Sequence, residues 1–67
     1  MREYTILQNG NKYVAILNRV GDDKYSAMDD TGCVISLTED QCSAWNIVVE
    51  ASDFIDAINK LQEIVEG

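Results

Sequence analysis

The dipeptide Asn9-Gly10 stands between two runs that alternate apolar and polar residues, and it constrains the chain more than any other feature. A two-residue type I′ turn needs positive φ at both central positions, which asparagine and glycine tolerate and bulkier residues do not. The flanking runs are therefore directed to pair as a hairpin. The first run, residues 3–7, places Tyr4 and Ile6 on one face and Thr5 and Leu7 on the other. The second run, 12–20, places Val14, Ile16 and Val20 on one face and Tyr13, Ala15 and Leu17 on the other. A strand apolar on both faces is expected to be central, or bent around a core.

Two more turns continue the pattern. Gly21-Asp22-Asp23 breaks the second run, and Asp29-Asp30-Thr31-Gly32 closes the third, which spans 24–28. Aspartates in such turns accept hydrogen bonds from their own backbone, and glycine supplies positive φ. A fourth run, 33–37, is rich in β-branched residues, as strands are.

Thr38-Glu39-Asp40-Gln41 matches a capping box, in which the threonine hydroxyl and the glutamine side chain satisfy each other's backbone N–H groups. The match predicts a short helix over 39–45, with Asn46 ending it. Ile47-Val48-Val49 reads as a short fifth strand. Ser52 or Asp53 then caps a last helix reaching Glu66, on which Phe54, Ile58, Leu61 and Val65 form the expected apolar stripe, with Ile55 and Ile64 beside it. Phe54 is expected in the core. Asp56 and Lys60 form a favourable i,i+4 pair on the wet face.

The predicted class is α+β: an antiparallel four- to five-stranded meander sheet, open or strongly bent, with a short helix and a C-terminal helix packed on one face, in the order β-β-β-β-α-β-α. Residues 1–67 make a single domain with no repeat and no linker. Area scaling gives a folded surface of roughly 4,200 Å² for a chain of this mass. A core this thin is worth roughly 3–5 kcal/mol. No stretch approaches the ~20 apolar residues of a membrane span. The segment Met1-Arg2-Glu3-Tyr4-Thr5 lacks the basic-then-apolar pattern of a secretion signal. A cytoplasmic setting is expected from this, with Cys33 and Cys42 as free thiols.

Charge narrows the function classes. The chain has twelve Asp or Glu, five Lys or Arg and no His, a net charge of −7. Too few cations are present to neutralise a row of phosphates, so direct nucleic-acid binding is not expected. Serines and cysteines without histidine lack the usual base for nucleophilic catalysis, so no enzyme is expected. Asp22-Asp23 and Asp29-Asp30 belong to turns at opposite ends of the strands, so their oxygens cannot converge on one hard cation. No metal and no cofactor is expected.

The acids nonetheless suggest a partner-binding surface. Strands three and four run out and back, which brings the second turn to the start of the short helix. Asp22, Asp23, Glu39 and Asp40 are therefore expected to be neighbours. Glu63 and Glu66 add negative charge in the last helical turn, where it is locally unfavourable. A helix spanning 53–66 is about 21 Å long and carries about one net charge per 7 Å, far below duplex DNA, so no single helix mimics nucleic acid. Tyr13, Ala15, Leu17 and Trp45 are the candidates for an apolar interface.

The expected function is a small acidic protein-binding module without catalysis that meets a basic protein. In its sharper form it is an inhibitor occupying a nucleic-acid-binding surface, of the type that phages and other mobile elements use against host nucleases or CRISPR effectors. The alternative is a homodimeric structural or regulatory subunit that associates through an apolar sheet face.

Overall fold

The structure is a computed structural model and describes residues 3–67. Met1 and Arg2, the start of the segment inspected for a secretion signal, lie outside the described residues. The elements are β1 (Thr5–Asn9), β2 (Lys12–Arg19), β3 (Lys24–Asp29), β4 (Val34–Thr38), α1 (Glu39–Ser43), β5 (Asn46–Glu50) and α2 (Phe54–Glu66). They follow the expected order. The accessible surface of 4231 Å² agrees with the scaling expectation.

All strand pairs are antiparallel, and the strand order is β4-β3-β2-β1-β5. The hairpin forms, but its turn is shifted by one residue and is not type I′: Asn9 still pairs with Lys12, so Gly10 and Asn11 are the central residues, and of these Gly10 alone has positive φ, +64°. β5 adds to the free edge of β1, so the first strand of the chain becomes an interior strand.

Each face of the sheet has its own core. On one face Ile6 and Ala15 lie opposite each other and are buried beneath Ala57 and Leu61 of α2, with Tyr13, Met28, Val49 and Ile64 packed around them. The other face holds Leu7, Val14, Ile16, Tyr25, Ala27 and Leu37, closed over by Cys42 of α1 and by Trp45. The connection from β4 to β5 joins the two edge strands and covers this second face on its way. The two lids cover the middle of each face, while Val34 on β4 and Ile47 and Val48 on β5 stay exposed at the edges.

Several expectations are corrected. Ala15, proposed as part of an exposed interface with Tyr13 and Leu17, has no exposed surface, because α2 lies over it. Tyr13 is half-buried against the same cluster, and Leu17 is half-buried at a register shift between Ile16 and Asn18. A bulge of this kind inserts one unpaired residue and reverses the alternation beyond it. Arg19, rather than Asn18, therefore pairs with Tyr25, and Val20 is exposed. Trp45 is a half-buried lid over the second core.

Phe54 is not core, being 47% exposed. The helix buries Leu61, as expected, but with Ala57 in place of Phe54, which turns the apolar stripe by roughly 60° from the expected phase. A small side chain at the centre of the contact, facing the equally small Ala15, lets the helix axis approach the sheet and moves the bulky residues to the flanks.

The capping box is present in full: Gln41 N–H donates to the Thr38 hydroxyl at 3.2 Å, and Thr38 N–H donates to the Gln41 side-chain oxygen at 2.9 Å. The helix it starts is shorter than expected, ending at Ser43, and Asn46 belongs to β5.

Candidate functional site

The β2–β3 turn is closed by its own arginine. Arg19 donates from Nε to the Gly21 carbonyl at 2.9 Å and from Nη2 to the Asp22 carbonyl, and its guanidinium carbon lies 6.0 Å from the centre of the Tyr25 ring. Glu39 N–H donates to the Asp23 carbonyl at 2.7 Å, which ties the first residue of α1 to the turn. The expected juxtaposition is therefore real. Asp22, Asp23, Glu39 and Asp40 share one end of the sheet, and all four are exposed.

Beneath this end, Tyr25 is buried and hydrogen-bonded to Glu39, which raises the phenol's pKa; desolvation acts in the same direction. Burial likewise raises the Cys42 thiol, with the negative Glu39 adding to it. Cys42 is thus a packed, unreactive thiol, and Cys33 is a free cysteine at the surface.

Glu63 and Glu66 do not join this cluster. The C-terminal half of α2 lies beside the β3–β4 turn, at the opposite end of the strands. Here Glu66 comes to a groove of about 320 Å³ shared with Asp29 and Asp30. Sequence reasoning treated these aspartates as turn chemistry alone. For Asp29 that chemistry is confirmed: its Oδ1 accepts from Thr31 N–H at 3.0 Å, the Thr31 hydroxyl at 2.7 Å and Cys33 N–H at 2.9 Å. The signal that could have exposed the groove is the matching direction of α2 and β3, but it depends on where α2 docks.

The hydrogen bond from the Thr31 hydroxyl, followed by that from Cys33 N–H, holds the Asp29 carboxyl below its usual pKa. Lys60 does the same for Asp56 across 2.7 Å, assisted by Ser52. For a carboxyl depressed in the folded state, the stabilisation is present above its unfolded pKa and is lost as pH falls through the lower, folded one. Stability is therefore expected to be flat near neutrality and to fall below about pH 4. Asp29→Asn should lower the urea midpoint at pH 7 and shallow this acid limb, as measured by urea titrations at several pH values.

Among the described residues, no group of three or more Cys, Asp or Glu is placed to hold a metal ion, and no helix is long and apolar enough to cross a membrane. Comparison with models of known protein families, with curated proteins and with solved structures gives no match.

Proposed function

We propose that this chain is a non-catalytic protein-binding module that docks a basic surface of another protein through Asp22, Asp23, Glu39 and Asp40. The observation that carries the reading is the 2.7 Å bond between Glu39 N–H and the Asp23 carbonyl, which gathers two acidic pairs at one exposed end. Of the nearby cations, Arg19, which bonds neutral turn carbonyls, and Lys24 are both exposed and offset two of the four carboxylates, which leaves this end net negative. Negative potential of this kind steers a cationic partner and speeds association. In the sharper form of the proposal the partner surface is a groove that otherwise holds nucleic acid, and the setting is cytoplasmic. The apolar-face homodimer has less support, since α2 occupies the face that includes Ala15.

The test is parallel capture from the native host with the wild-type chain and with an Asp22→Asn, Asp23→Asn, Asp40→Asn triple variant. Glu39 is left intact because it bonds Tyr25. Proteins retained by the wild type, lost by the variant and released between about 50 and about 200 mM salt support the reading. Identical retention by both chains, or retention insensitive to salt, overturns it.

A further inference from the structure

The groove between α2 and the β3–β4 turn has a chemistry of its own, separate from the acidic end at the β2–β3 turn. One side is apolar, made by Met28 of β3 with Ile58, Leu61 and Val65 of α2. Asp30 and Glu66 bring carboxylates to the same space, with Asp30 Oδ2 also accepting from Tyr13 N–H at 3.4 Å; Asp29 borders the groove, but it pairs with Val14 and its side chain stands on the other face of the sheet. We propose that this groove docks an arginine or lysine side chain of a protein partner, with its methylene stem against the apolar wall and its cationic head between Asp30 and Glu66.

Five observations converge on that occupant. The volume of about 320 Å³ is at the lower limit of ligand sites, suited to a side chain with its neighbour and too small for a nucleotide with its phosphates. The apolar wall gives nothing to a hydrated metal ion, whereas the long basic side chains bury their stems and keep their heads polar. Val65 is 45% exposed, so a stem laid along it removes apolar surface from water. The last turn of α2 carries no basic residue, so the partial negative charge of the helix C-terminus adds to the carboxylates there. Asp30 is already held by the bond it accepts from Tyr13 N–H, so ordering it costs little on binding.

The test is an amide NMR titration of the full chain with acetyl-leucyl-arginine amide, alongside the neutral, isosteric acetyl-leucyl-citrulline amide. Shifts are expected to cluster at 28–32 and 62–66, with citrulline at least about tenfold weaker because charge-assisted hydrogen bonds are lost. Glu66→Lys, at an exposed position, should abolish the arginine response while leaving the remaining spectrum unchanged. Equal responses to arginine and citrulline overturn the proposal. So does the absence of any shift at millimolar excess, or an undiminished response in Glu66→Lys. Shifts confined to 22–23 and 39–40 overturn it too, while leaving the proposed function standing, so the two readings fail separately.

Discussion

Leu61→Ala is expected to remove about 2–5 kcal/mol of stability, while Phe54→Ala removes about 1 kcal/mol. Both residues belong to the apolar side of α2, and the difference comes from the helix phase. Leu61 is 2% exposed and packs in the same cluster as Ile6, Ala15 and Ala57, so truncation leaves a cavity that the rigid sheet cannot fill. Phe54 is 47% exposed and forfeits only part of its transfer free energy. In a domain worth roughly 3–5 kcal/mol, the first variant should be largely unfolded and the second folded. Urea titrations followed by circular dichroism measure both. Equal losses would mean that the stripe is centred on Phe54 after all.

Ala15→Asp is expected to abolish folding. The side chain at this position lies between Ile6 and Met28 across the strands and beneath α2, with no exposed surface and no cation in its cluster. A carboxylate placed there is desolvated without a partner, which costs several kcal/mol, comparable to the stability of the whole domain. The control is Val34→Asp on the edge strand β4, where 67% exposure lets the new charge stay hydrated. The amide NMR spectrum of Ala15→Asp should lose its dispersion, and that of Val34→Asp should keep it. A folded Ala15→Asp would mean that the face is open and would restore the apolar interface once expected there.

The parts of this fold legible in the sequence are those set by short-range chemistry. The Asp29–Gly32 turn and the Thr38–Gln41 cap each satisfy their own backbone within a few residues and form where those residues stand, and the first hairpin closes one residue beyond Asn9-Gly10. The acidic end was legible for the same reason: its position follows from two turns and one strand pair. What was not legible depends on contacts made over long separations. The placement of β5 beside β1, the bulge at Leu17, the phase of α2 and the meeting of Glu66 with Asp30 are settled by how elements dock, and alternation or spacing carries no record of that. Ala15 illustrates the limit. Its alternation with Tyr13 and Leu17 is visible, but which lid lands on it is not.

The position of β1 between β2 and β5 has a consequence for how the chain reaches its native state. The β1–β2 pairing closes over a two-residue turn, whereas Leu7 meets Ile47 only after about forty intervening residues, and loop-closure entropy delays that second pairing. During synthesis and refolding, the outer edge of β1, with Ile6 and Leu7 along it, stands unpaired until β5 docks. An unpaired apolar edge is a template for another chain. The interval between hairpin formation and β5 docking is therefore when self-association competes with folding, and dilution during refolding should raise the native yield.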